Sequence, residues 1–341
     1  MHRADKAVLR LAIGLGLSVL IAYGFALPLP FVACVLTVLL LCKPGPPMPF
    51  VKGVVLGFVV AALLVAGVLL VPVLENYAVA GVVLTGVLLY AVFFTGALKA
   101  NPLTVILVIA VTLIPVAGVA DQALVTALSV AVGVGLGTGA LVSGVSHTFF
   151  PNAPAPAKAA ATATVSRETA RWAATQATLV VVPVFVLALT NPAFYLAAIM
   201  KTVTLGQQAG STNARSAGRE LVGSTLMGAW MATLVWFGLS LRPNLWMLML
   251  WIVAATLWAG AKLYGVRRTS FPPSFWVNAL ITMLILLGPG IEDAAVGKDV
   301  YSASAIRVAL FVAVALYAWA TVWALERWRA SRSKALVLKG A

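Results

Sequence analysis

Side chains that could bind or react are scarce in this chain, since only 9% of its 341 residues are charged. An ionisable group inside an apolar segment is energetically costly and marks a transport pathway, a binding site or an ion pair. Lys201 interrupts an apolar segment, and Gln207 and Gln208 follow it. Such a polar helix end can bind a ligand where the backbone unwinds beside protein or water. Alternatively, the Lys201 side chain extends to the lipid headgroups at the cytoplasmic surface.

Arg219 and Glu220 begin the next apolar segment. If Arg219 faces the interior, its guanidinium group could bind a carboxylate through two parallel hydrogen bonds, whereas at the surface it would contact lipid phosphate. Glu220 is a candidate proton carrier for coupled transport, or an acidic residue stabilised by the dipole of the helix N-terminus. Together with Lys201, Gln207 and Gln208, Arg219 is a predicted substrate-binding residue.

Arg307 and Asp121 lie near the starts of the predicted helices 302–328 and 122–149. Both helix starts are on the predicted outer side of the membrane, opposite to the polar region around Arg219. They could form an ion pair near an outer gate, or Asp121 could accept protons for coupled transport, and Arg307 is a further predicted substrate-binding residue. Alternatively, Asp121 is the N-cap of the helix that follows it, because aspartate is a preferred capping residue.

Known catalytic and nucleotide-binding motifs are absent from the sequence. It has no Walker A motif, no dinucleotide fingerprint, no HExxH zinc motif and no serine elbow. Two histidines and two cysteines leave little material for a metal site. A net charge of +14 could indicate nucleic-acid binding, but the basic residues lie in short loops between apolar segments. We therefore predict no enzyme, no metal or cofactor site and no nucleic-acid partner.

Long uncharged segments must position these residues. Segments 53–74, 76–98, 100–120, 221–241 and 269–291 contain no aspartate, glutamate, lysine or arginine. About 20 apolar residues in a helix span the ~30 Å hydrocarbon core of a bilayer. We predict an all-α membrane protein with about twelve transmembrane helices. They are placed at residues 8–26, 28–42, 50–74, 77–98, 102–119, 122–149, 167–189, 191–208, 216–240, 244–265, 273–290 and 302–328.

The predicted helices divide into two halves of six, at residues 1–150 and 167–328. A linker rich in proline and alanine joins them at residues 151–166, and a basic cytoplasmic tail follows at residues 329–341. The spacing of elements is similar in the two halves. Because six is an even number, two such repeats must have the same orientation, related by an axis along the membrane normal.

The distribution of basic residues predicts the orientation. With the N-terminus in the cytoplasm, only Arg242, Lys298 and Arg307 among the 23 lysines and arginines fall on the outer side. Cytoplasmic loops carry an excess of basic residues in multi-pass proteins. Both termini are therefore predicted to lie in the cytoplasm.

The start of the ninth predicted helix carries Arg219, Gly223, Ser224 and Gly228. With this pattern and its two six-helix halves, most of the chain resembles the fusaric acid resistance and aromatic acid exporter superfamily. The resemblance implies a bacterial inner-membrane protein that exports hydrophobic or aromatic carboxylates or related drugs. It also implies a periplasmic adaptor of the membrane-fusion class and an outer-membrane channel as partners. Many relatives carry large cytoplasmic domains that are not found here, so this would be a compact member.

We expect a secondary exporter in which a small organic anion pairs with Lys201 or Arg219. The membrane potential, worth about 2.3 kcal/mol per charge per 100 mV, could drive export without protons. Proton flow through Glu220 or Asp121 is the other possible energy source. An anion channel and a non-transporting scaffold subunit are the alternative functions. Because 62% of the residues are apolar, we predict contact with membrane lipid. A homo-oligomer is also a possible assembly.

Overall fold

Backbone N–H and C=O groups find no water inside a lipid bilayer, so a spanning segment must satisfy them internally, as a helix does. The computed structural model describes residues 3–42, 50–99, 104–151, 165–209 and 217–339. Within those ranges all regular structure is helical and no strand is present. The predicted all-α class is confirmed.

The helices follow one another with short connections. In chain order they are α1 (Arg3–Gly24), α2 (Pro30–Leu41), α3 (Phe50–Val68), α4 (Val71–Asn76), α5 (Ala78–Lys99), α6 (Thr104–Ala120), α7 (Gln122–Phe149), α8 (Arg167–Thr190), α9 (Pro192–Ala209), α10 (Gly218–Leu241), α11 (Leu245–Leu263), α12 (Pro273–Ala295) and α13 (Val300–Lys339). Helix α10 begins with a π-helical turn, Gly218–Val222, and continues as an α-helix over Gly223–Leu241.

Among the described residues, eight helices are long and apolar enough to cross a membrane. They are α1, α5, α7, α8, α10, α11, α12 and α13. Helices α2 and α6 and the segment Ala62–Asn76 are also apolar but shorter. The chain is therefore a multi-pass membrane protein built from helices.

Two predicted helix boundaries are wrong. The helix predicted at 50–74 is divided into α3 and α4, because Pro72 has no backbone N–H and occupies the first turn of a new helix. The last helix was expected to end at 328, whereas α13 continues to Lys339. Here the Arg329 guanidinium donates a 3.0 Å hydrogen bond to Glu168 at the start of α8. Most of the predicted linker lies outside the described residues.

Helices from the two predicted halves pack against each other in pairs. Helix α1 packs along α11, and α8 packs along α5. Two further contacts, α2 with α12 and α6 with α9, also join the first part of the chain to the second. The two predicted halves therefore interlock instead of forming separate bundles.

Helix α12 forms the centre of the buried core. In its spanning window 78% of the residues are buried, the highest share among the eight candidate spans. Neighbours α2, α9, α10, α11 and α13 all contact it. Phe31 of α2 packs directly on Gly288 of α12, where an added Cβ atom would meet the Phe31 ring at 2.3 Å. A central helix of this kind can link sites that lie at different depths.

Two glycines allow helices to cross in backbone contact. A Cβ atom at Gly67 of α3 would lie 2.1 Å from the carbonyl oxygen of Ala110 in α6. At Gly228 of α10 it would lie 2.6 Å from the carbonyl oxygen of Ala279 in α12. Small residues permit such close crossings in membrane proteins, where dispersion contacts drive helix association.

Gly67→Ala is expected to destabilise the protein, because the added methyl group meets a backbone carbonyl that cannot rotate away. Overpacking of this kind costs about 1–3 kcal/mol. Gly137→Ala is the matched control, since no atom lies within 4 Å of its Cβ position. Thermal unfolding in detergent micelles should show a lower midpoint for Gly67→Ala alone. Equal midpoints for the two variants would contradict the crossing of α3 and α6.

Candidate functional site

Lys201 lies in the middle of α9 and its side chain has 0% exposure. Its ammonium Nζ donates hydrogen bonds to Asn278 Oδ1 at 3.1 Å and to Thr282 Oγ1 at 2.6 Å, both in α12. Asn278 and Thr282 are four residues apart and therefore share one face of their helix. The side chain does not extend to the lipid headgroups, so that alternative is wrong.

The hydrogen bonds continue from α12 into α10. Asn278 Nδ2 donates to Ser224 Oγ at 2.6 Å, and Ser224 Oγ donates to the backbone carbonyl of Leu221 at 3.3 Å. Thr282 Oγ1 donates to the backbone carbonyl of Asn278 at 2.6 Å. We call Lys201, Ser224, Asn278 and Thr282 the Lys201 network. It fastens α9, α10 and α12 together at one point.

The Lys201 network has fewer acceptors than a charged lysine can use. A lysine ammonium group has three N–H donors, whereas a neutral amine has two donors and a lone pair. Nζ has two acceptors here, and both are neutral. The ion pairs within the described part of the chain, Arg307–Asp293 and Arg329–Glu168, do not include Lys201. An anion with a free oxygen would supply both the missing acceptor and the missing charge.

Gln207 and Gln208 lie in the last turn of α9, which stays helical through Ala209. The unwound backbone expected at this end is therefore not found up to Ala209, and the polar residues 210–216 lie outside the described part of the chain. Gln208 is buried, and Gln207 Nε2 has no hydrogen-bond acceptor among the described residues. Neither glutamine is hydrogen-bonded to Lys201.

Arg219 and Glu220 lie apart from the Lys201 network. Arg219 is exposed in the π-helical turn of α10, and its guanidinium carbon lies 5.1 Å from the centre of the Phe271 ring. Glu220 Oε2 accepts a 3.5 Å hydrogen bond from Ser274 Oγ at the start of α12. Arg219 and Glu220 therefore lie at the N-terminal ends of α10 and α12, about one turn before the residues of these helices that belong to the Lys201 network.

The ion pair suggested between Arg307 and Asp121 does not form. The Arg307 guanidinium binds the carboxylate of Asp293, which lies near the end of α12. A short connection between α12 and α13 brings these two residues together, whereas α13 makes no extensive contact with α6 or α7 among the described residues. Asp121 is exposed and caps α7, accepting a hydrogen bond from the backbone N–H of Ala123 at 2.9 Å.

A cation held between aromatic rings was not expected from the sequence. The Lys262 ammonium lies 3.7 Å from the centre of the Trp258 ring and 4.6 Å from that of Trp276. The two rings meet edge to face at 5.4 Å. Trp258 and Lys262 are four residues apart and therefore share one face of α11, so the sequence could have predicted this contact. Trp276 comes from α12, and no local pattern predicts it.

A cavity of about 460 Å³ lies between α10, α12 and α13. Its walls come from Ala229–Phe237, Leu286–Gly290 and Val300–Ala309. Leu286 follows Thr282 by four residues, so the cavity begins about 6 Å, one helical turn, beyond the Lys201 network. The crossing of Gly228 with Ala279 and Thr282 lies between the network and the cavity.

A similarity to a known protein family is found in the first part of the chain. Residues 7–145 match a family model described as a protein of unknown function, DUF2955. No curated protein and no solved structure matches the chain. The matched region includes Asp121, but Lys201, Arg219 and Arg307 lie beyond it. The resemblance to the aromatic acid exporter superfamily stays a prediction, because the matched family has no described function.

The Lys201 network predicts an energetic coupling that a double-mutant cycle can measure. Asn278→Leu should destabilise the protein by about 1–3 kcal/mol, because the buried amine loses one of its two acceptors. Lys201→Met combined with Asn278→Leu should restore part of that loss, because no buried amine is then left short of an acceptor. Thermal unfolding in detergent gives the midpoints. Thr126→Ala is the control, since Thr126 is exposed and bonds only within its own helix. Strictly additive effects of the two changes would contradict the network.

Proposed function

We propose that this protein is a secondary transporter that exports small organic anions, of the hydrophobic or aromatic carboxylate type, across a bacterial inner membrane. The observation that carries the proposal is the fully buried Lys201, which has two neutral acceptors and no ion-pair partner among the residues that the structure describes. A buried charge without a partner is unfavourable by several kcal/mol. Binding of an anion removes this penalty for the charged lysine, so the arrangement favours a negatively charged ligand.

The position of Lys201 supports a transport site. It lies halfway along α9, and α9 contacts α6 of the first half as well as α12 of the second. In transporters built from repeats, substrate sites lie near the middle of the bilayer at the junction between the repeats. The position of Lys201 halfway along α9, and the contacts of α9 with both parts of the chain, are what such a site would require.

Twelve spans in two six-helix halves of equal orientation are part of the proposal. The contacts support it, because the first helix of each half packs against the fourth helix of the other: α1 with α11, and α8 with α5. Within each half, a glycine of the third element, Gly67 or Gly228, crosses the fifth. Helix α2 has 12 residues and is mostly buried among other helices, so its short length exposes little backbone to lipid.

The remaining predicted site residues have more restricted roles in this proposal. Arg219, exposed beside Phe271, would make the first contact with an aromatic anion at the cytoplasmic mouth. Gln207 and Gln208 would offer amide donors along the way to Lys201. Glu220 and Asp121 are not needed as proton carriers, because an inside-negative potential already favours anion export. A periplasmic adaptor and an outer-membrane channel are the proposed partners.

Transport by purified protein in liposomes tests the proposal. Lys201→Met should raise the half-saturating concentration of benzoate at least tenfold, because a hydrogen bond to a charged group contributes about 1.5–3 kcal/mol. Lys99→Met is the matched control, since Lys99 is exposed at the end of α5. Equal transport by both variants and the wild type would contradict the Lys201 site. Unitary conductance in planar bilayers would replace the carrier with a channel.

Reporter fusions test the proposed orientation. Green fluorescent protein fused after Ala341 should fluoresce, because it folds in the cytoplasm. Alkaline phosphatase fused after Lys298, between α12 and α13, should be active, because it requires the periplasm. The physical reason is the excess of basic residues on the side of the termini. The reverse pattern would show that the orientation is wrong.

A further inference from the structure

We propose that the cavity between α10, α12 and α13 is a second binding chamber, which holds the planar apolar body of the exported anion after it leaves Lys201. This inference rests on the proposed function and adds a site in the second half of the transport path. The ligand class is an amphipathic anion with an aromatic body and at least one hydrogen-bond acceptor.

The composition of the walls suits a flat apolar body. Small residues, among them Ala232, Gly290 and Ala305, create the open volume, because larger side chains at these positions would fill it. Trp236 and Phe237 supply aromatic surface on the α10 side. Pockets for small molecules typically measure about 300–1,000 Å³, and this one measures about 460 Å³. A compact aromatic acid therefore fits inside it.

A buried donor at the cavity lacks an acceptor. The indole Nε1 of Trp236, which lines the cavity, is buried and has no hydrogen-bond partner among the described residues. A buried donor without an acceptor is unfavourable by about 1–3 kcal/mol. A lipid acyl chain has no acceptor to offer, whereas a carboxylate or ether oxygen does, so this donor favours the anion as occupant.

The chamber and the Lys201 network share the same pair of helices. Thr282 of the network and Leu286 of the cavity wall lie one turn apart on α12. On α10, Ser224 and Ala232 occupy the corresponding positions on either side of Gly228. The close contact at Gly228 lies between the Lys201 network and the cavity. A small separation of α10 from α12 at this point would connect the Lys201 network with the cavity. The interface between α10 and α12 could then carry the anion from Lys201 into the chamber.

Photolabelling with 4-azidobenzoate tests the chamber directly. The wild-type protein in liposomes is illuminated with the probe, and labelled peptides are mapped by mass spectrometry. Labelling of the wall segments 229–237 or 300–309 is expected, with protection by excess benzoate. Ala305→Trp should abolish this labelling by filling the cavity, because Ala305 lines it. Ala313→Trp is the matched control, since Ala313 is exposed on the same helix, two turns after Ala305 and one turn after the last lining residue, Ala309.

A second variant tests the donor. Trp236→Phe keeps an aromatic ring but removes Nε1, and it should weaken protection by benzoate about three- to tenfold. Wall labelling that benzoate does not reduce, but that added phospholipid does, would assign the cavity to lipid and overturn the inference. Unchanged labelling in Ala305→Trp would also overturn it.

The results separate failure of the chamber from failure of the export proposal. If transport depends on Lys201 but the walls stay unlabelled and Ala305→Trp transports like the wild type, the chamber is wrong and the transporter stands. If benzoate-protected labelling occurs but liposomes show no transport, the chamber stands and the export proposal is wrong.

Discussion

The Lys201 side chain is fully buried among helices, out of reach of water, so each of its partners must come from a neighbouring helix. Two uncharged residues of α12, Asn278 and Thr282, supply those partners. Their hydrogen bonds join α9 to α12, and the bond from Asn278 to Ser224 adds α10. The relative position of these three helices is therefore set by one polar contact, and the surrounding apolar packing must accommodate it.

Helix α12 connects this contact with the rest of the protein. Going along it, Asn278 and Thr282 bind Lys201, Gly288 receives the Phe31 ring of α2, and Asp293 binds Arg307 of α13. Interiors are closely packed, so a shift of one such helix cannot stay local. Movement of α12 at the Lys201 network would be transmitted to the wall of the cavity and to the Arg307–Asp293 pair, because the same helix carries all three.

The sequence predicted what depends on local pattern. Uncharged segments located most helices, and the capping alternative for Asp121 could be seen in the sequence because its spacing to the helix start is local. The partners of Lys201 could not be found in this way, because Asn278 and Thr282 are uncharged and lie 77 and 81 residues away. Arg307 was paired with the wrong acid because the charge pattern alone does not distinguish Asp121 from Asp293. Its true partner, Asp293, is decided by the α12–α13 connection and not by charge pattern.

The number of hydrogen-bond donors and acceptors at Lys201 also bears on the order of events in the proposed transport cycle. With two neutral acceptors, an empty site suits a neutral amine, whereas a bound carboxylate suits an ammonium group with three donors satisfied. Arrival of the anion and arrival of a proton on Lys201 would then favour each other. The loaded site would be close to neutral, and a neutral pair meets a much smaller barrier in a low-dielectric interior than a lone charge does. A buried lysine with no acidic partner in the described part of the chain can therefore be understood as a site whose counter-ion would be the transported anion.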